Sequence, residues 1–174
     1  MVEGITDWFI ALVRENVLWA VAVVFLLSFG ESLAFVSLLL PATVILFALG
    51  ALIGGAELPF WPLWLAAAVG ATLGDWVSFW LGRRFGPAIA QVWPLSRHPD
   101  LLPRGHAFFE KWGIAGVFFG RFFGPLRAAV PLAAGICDMP YVKFQIANVA
   151  SAFVWATGIL APGVLGMRWW NGSW

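Results

Sequence analysis

Gly120-Arg121-Phe122-Phe123-Gly124-Pro125-Leu126-Arg127 sets two arginines inside an otherwise apolar run, around a glycine-proline pair. A charge at membrane depth costs about 2.5–3.5 kcal/mol on insertion scales, so such residues pair with one another or serve a function. On a continuous helix the six-residue spacing turns the chain through about 600°, and the two guanidiniums would face apart. A break at Gly124-Pro125 instead lets both turn into one cavity. Two guanidiniums converging there would hold a phosphate through bidentate, charge-assisted bonds. The alternative is that each arginine is neutralised by an acid, Glu31 or Asp75, as a structural pair.

Outward from these eight residues, 112–137 is apolar but broken by Gly113, Gly116, Gly120, Gly124, Pro125, Pro131 and Gly135. The whole chain has the same character. Of 174 residues, 61% are hydrophobic and only 11% charged, ten basic against nine acidic, and the mean hydropathy is +0.88. A soluble domain carries roughly 25% charged residues, so this composition excludes one, and it excludes disorder too. Cys137 is the single cysteine, which rules out a disulfide scaffold. A net charge of +1 is too small for a nucleic-acid footprint. Long continuous apolar runs, rather than short alternating ones, point to an all-α membrane protein and away from a β-barrel.

Residues 1–16 mix Glu3, Asp7, Arg14 and Glu15 with Trp8, Phe9, Ile10, Leu12 and Val13, as in an interfacial amphipathic helix. Their acidic start is not that of a cleavable signal peptide. Residues 17–166 form one membrane domain, and 167–174 a tail. The run from 16 to 30 covers about 22 Å, short of a ~30 Å hydrocarbon core, so Glu31 lies near the end of a span or within the membrane. Gly54 to Pro59 reads as a turn. Phe60–Leu81 is long enough to cross, and Gly70, Gly74, Ser78 and Gly82 recur on one face of it. Small residues at that spacing let another helix approach, either within the chain or in a homodimer. Residues 83–111 read as a polar loop holding Arg83, Arg84, Arg97, Arg104 and Lys111, which the positive-inside rule puts in the cytoplasm. A turn at Asp138-Met139-Pro140 leads to a last span, 141–166. The twelve tryptophans cluster near span ends as aromatic belts, and none is assigned to a site.

The runs 31–54 and 112–137 each carry a proline, several glycines and a charge. Broken helices are tolerated at membrane depth only where protein or a cavity satisfies the freed backbone groups. Two such segments at matching places in two halves point to a transporter-type site. Gly30-Glu31 precedes Pro41 as Gly120-Arg121 precedes Pro131, by the same interval. Each segment is followed by a proline turn and a full span. If both are re-entrant helical hairpins entering from opposite sides, the halves are an inverted repeat and the basic loop still falls in the cytoplasm.

The 120–127 run, continued by Pro131 and Gly135, resembles the signature of the DedA family, also called the SNARE-associated or VTT domain. Glu31 before Pro41 agrees with it. So do Gly74-Asp75 with Phe79, Gly82-Arg83 and Gly86, and Phe144, Asn148 and Trp155 in the last span. The resemblance covers about residues 25–166. It implies a multi-pass protein of the bacterial inner (plasma) membrane with two re-entrant segments, linked to recycling the lipid carrier undecaprenyl phosphate and to envelope integrity. Distant eukaryotic relatives are phospholipid scramblases. The family's functional positions map onto Glu31, Arg121 and Arg127, while its second acid falls at Thr43, or at Ala42 by a one-residue slip.

The expected function is therefore transport of a polyprenyl phosphate, with Arg121 and Arg127 on the phosphate and Glu31 and Asp75 as counter-ions or proton carriers. Thr43 in place of the second acid implies looser proton coupling. The alternative is a phospholipid scramblase or a proton-dependent small-solute or cation transporter. No catalytic set, metal-ligand spacing or nucleotide loop is present in the sequence, so no enzyme activity and no cofactor are expected. His98 and His106 read as surface residues of the loop, and Cys137 as a small apolar filler.

Overall fold

The computed structural model describes residues 17–33, 46, 50, 59–89, 101–123 and 126–171. All regular structure among them is helical: α1 (Val17–Ser32), α2 (Phe60–Ile89), α3 (Leu101–Gly120), α4 (Leu126–Ile136) and α5 (Tyr141–Asn171). Among the described residues, two helices are long and apolar enough to cross a membrane, over Phe60–Gly86 and Tyr141–Gly166. The interfacial segment 1–16, Pro41, Thr43, Gly124, Pro125 and His98 lie outside the described residues. So does most of the first hairpin, apart from residues 31–33, Leu46 and Gly50.

The surface of these helices is turned inside out relative to a soluble domain. On α2, Trp61, Leu65, Val69, Trp76 and Trp80 face outward, while Asp75 and Ser78 are buried. On α5, Val142, Ile146, Val149 and Val154 are exposed, and Asn148 and Ser151 are buried. Apolar side chains outside and polar ones inside fit a hydrocarbon solvent, in which polar groups must find partners within the protein.

The small-residue stripe of α2 packs within the chain. A Cβ at Gly70 would lie 2.5 Å from the Phe25 carbonyl oxygen, and one at Gly74 the same distance from that of Phe29. The upper half of the stripe therefore seats α1. The lower half seats α4: a Cβ on Gly82 would meet the Leu132 carbonyl oxygen, and one on Gly135 that of Phe79. Backbone touching backbone at this range is possible only because these positions carry no side chain.

The break expected within 112–137 takes a definite form. Gly113 sits at φ 43°, ψ −119° and kinks α3, a conformation strained for any other residue. The chain turns at residues 121–123 and resumes as α4. Gly105 faces Cys137 while Gly120 faces Val130, so α4 runs back along α3. Pro131 lies inside α4 and cannot donate to the Arg127 carbonyl, which the helix would otherwise satisfy. Helix α4 ends with Asp138 at φ 54° and bonds from Met139 N to the Ala134 oxygen (3.0 Å) and from Asp138 N to the Gly135 oxygen (3.1 Å). This left-handed cap aims the chain into α5.

Three boundaries differ from the sequence reading. Helix α2 runs to Ile89, eight residues past Leu81, and α3 starts at Leu101, so the expected loop 83–111 is helical at both ends. The expected tail is helical through Asn171. Charge marks where water begins, but arginine and lysine are good helix formers and do not end a helix.

Candidate functional site

The charged residues singled out in the sequence meet between the helices, in two separate ion pairs. Asp75 on α2 and Arg121, at the turn after α3, are both 4% exposed and joined through Arg121 Nη2. Asn148 on α5 completes the set. Its Oδ1 accepts from Arg121 Nη2 at 3.0 Å, its backbone oxygen accepts from Arg121 Nη1 at 3.2 Å, and its Nδ2 donates to the Thr72 carbonyl at 3.0 Å. Arg121 is thus held by three oxygens from two helices, a fixed strut between α2 and α5.

The second pair differs. Glu31, at the C-terminal end of α1 and 4% exposed, accepts from Arg127 Nη1 at 2.8 Å. The Arg127 guanidinium carbon lies 4.7 Å from the centroid of the buried Trp155 ring. A cation over an indole face is stabilised by about 2 kcal/mol or more when desolvated. Arg127 Nη2 is buried and makes no hydrogen bond. One edge of this guanidinium therefore keeps its donor capacity.

This geometry shows the paired arrangement that the sequence left as an alternative, each arginine with one of the two acids. Each has taken its own carboxylate, because hydrocarbon surroundings favour the nearest opposite charge. Asp75 reaches Arg121 rather than Arg83, whose Nε instead lies 3.8 Å from the exposed Asp138. Among the hairpin-breaking positions, Gly120 packs on Val130, Gly135 on the Phe79 backbone, and Pro131 is fully buried.

Asn148 and Trp155 received no role from the sequence, and no tryptophan was assigned to a site. The usable signal was spacing: Phe144, Asn148, Ser151 and Trp155 lie along one face of α5, with an amide and a hydroxyl inside a long apolar span. Beside the arginine turn, an apolar groove of about 540 Å³ runs along the hairpin, lined by Phe108, Trp112, Ala115, Phe119, Phe123 and Val130.

Apolar outer faces and charged pairs buried between the described helices mark a membrane protein. The VTT domain model matches residues 40–165, and the chain belongs to this family, the DedA family. It is 39% identical over 153 residues to the inner membrane protein YabI of Escherichia coli (strain K12), covering 88% of this chain and 60% of that protein. It is 32% identical over 159 residues to an uncharacterized membrane protein of Buchnera aphidicola subsp. Schizaphis graminum, covering 91% and 63%. With the uncharacterized membrane protein Rv2637 of Mycobacterium tuberculosis (strain ATCC 25618 / H37Rv) it shares 32% identity over 140 residues, covering 75% and 64%. The chain spans less than two thirds of the length of these relatives. No solved structure matches it.

Proposed function

We propose that this protein carries a lipid phosphate of the polyprenyl class, such as undecaprenyl phosphate, across a bacterial inner membrane that it crosses more than once. The observation that carries the reading is Arg127: half-buried, stacked on Trp155, balanced by one carboxylate and holding a buried, unbonded Nη2. A purely structural arginine would use both edges, as Arg121 does. An arriving phosphate competes with Glu31 for Arg127, and the displaced carboxylate takes a proton. Arg121 lends its charge from a fixed position. The adjacent apolar groove takes the hydrocarbon tail.

The inverted repeat with two re-entrant hairpins is part of this proposal. Gly135 of the second hairpin packs on the carbonyl of Phe79, and Gly50 of the first packs on that of Leu160, 2.9 Å from an added Cβ. Phe79 and Leu160 stand at the same interval after Pro59 and Pro140, so each hairpin crosses the opposite span at an equivalent site. That exchange supports two related halves around a central site.

The test is flipping of a fluorescent polyprenyl phosphate in proteoliposomes. Arg127→Lys keeps the charge but loses the planar fork. Its rate should fall by about tenfold or more, the effect of one lost charge-assisted bond. Wild-type transport by Arg127→Lys would defeat the assignment.

A further inference from the structure

Ser28 and Ser32 lie one turn apart on α1, in the column Ala20, Val24, Ser28 and Ser32 that faces the other helices. They are 0% and 1% exposed, and neither hydroxyl has a hydrogen-bond partner. This is unusual within the same molecule. A buried helical hydroxyl ordinarily bonds back to a carbonyl one turn earlier. Buried Ser78 does so to Gly74 (3.0 Å) and buried Ser151 to Asn148 (3.1 Å), and half-buried Thr72 does so to Ala68 (2.8 Å). Ser28 and Ser32 forgo that bond and leave two donors in a region without bulk water, an arrangement that persists where something else is to be bonded.

Their neighbours say what that is. Side chains on a helix lean toward its N-terminus, so the Glu31 carboxylate lies over the turn that carries Ser28. That carboxylate holds Arg127. Val24, one turn before Ser28, packs in the same cluster as Trp155, the ring beneath Arg127. Ser28 therefore lies one turn before Glu31, the carboxylate that holds Arg127. Ser32 abuts Gly74, and its carbonyl accepts from Ser78 Oγ at 3.2 Å, which places it beside the Asp75 turn.

We propose that Ser28, Ser32 and the Nη2 edge of Arg127 form a subsite for a phosphate monoester and set a preference for monoesters over diesters. The proposal rests on the lipid-phosphate reading of Arg127. The donor set fits the ligand. A monoester presents three terminal oxygens, one for the guanidinium edge and one for each hydroxyl. A diester presents two and carries less negative charge, so it gains less from the same three donors. A carboxylate also has two oxygens, and Glu31 already serves that role. A cation would face the guanidinium charge.

The test uses purified protein in nanodiscs of neutral lipid, with three lipid probes: a polyprenyl phosphate, phosphatidic acid and phosphatidylglycerol. Inorganic phosphate serves as competitor. Wild type should bind the two monoesters about tenfold more tightly than phosphatidylglycerol, as expected for one charge-assisted hydrogen bond. Ser28→Ala with Ser32→Ala should bring the three within about threefold of one another, chiefly by weakening the two monoesters. Its melting temperature should not fall, because two unpaired hydroxyls are removed. Ser28→Thr, which keeps a hydroxyl, should hold most of the preference. A double alanine variant that retains the wild-type ratio overturns the subsite. Undiminished monoester binding by Arg127→Ala overturns the underlying lipid-phosphate reading instead, a result the serine variants cannot produce. Displacement of the lipid probe by inorganic phosphate would show that the headgroup alone suffices, and its failure would show that the tail is required. Both results are consistent with the subsite and identify the source of its phosphate.

Discussion

Cutting the Asp75–Arg121 pair on one side should destabilise the protein far more than cutting it on both. Asp75 and Arg121 are each 4% exposed, so Asp75→Ala leaves a guanidinium that water cannot reach. Removing one partner of a buried pair costs roughly 3–5 kcal/mol. The oxygens of Asn148, at 3.0 and 3.2 Å, stay on the guanidinium, which puts the loss in the lower part of that range, about 3–4 kcal/mol. At about 2–4 °C per kcal/mol for a chain of this size, the melting temperature should fall by about 10 °C. Replacing both partners, as in Asp75→Ala with Arg121→Met, removes the stranded charge and should recover at least half of the loss, since an apolar replacement of a buried pair is often neutral. Tryptophan fluorescence during heating in detergent reads all four proteins of the cycle. If Asp75→Ala melts with wild type, or the double variant melts below both singles, the pair is not the buried strut described here.

Two further outcomes are expected. Gly135→Val should lower the melting temperature by several degrees or abolish expression, because the new side chain meets the Phe79 carbonyl and, 2.8 Å away, the Arg83 nitrogen, neither of which can swing aside; Gly166→Ala, with nothing within 4 Å, should be silent in the same assay. The positive-inside rule puts residue 97 in the cytoplasm and residue 57 outside, so an impermeant maleimide should label Glu57→Cys on intact cells and Arg97→Cys only after permeabilisation, and labelling of Arg97→Cys on intact cells would reverse the topology.

Much of the architecture was legible from patterns that solvent imposes locally. Long apolar runs with few charges announce helices in lipid, because a backbone without water must satisfy itself. The stripe from Gly70 to Gly82 and the break at Gly113 could be read because glycine acts on its own turn of chain, whereas Pro131, expected to break the segment, sits inside continuous α4. Four intramembrane charges could be singled out as partners or ligands because none could remain alone there. What the sequence by itself did not determine was who pairs with whom. Glu31 with Arg127 and Asp75 with Arg121 are contacts across helices, set by how closely α1 and α4 approach α2 over Gly70, Gly74, Gly82 and Gly135. The same packing brought Asn148 and Trp155 from α5 onto the two guanidiniums and left the hydroxyls of Ser28 and Ser32 off their own backbone. A residue's cost of burial is written in its chemistry, but the partner that offsets that cost is chosen only when distant helices meet.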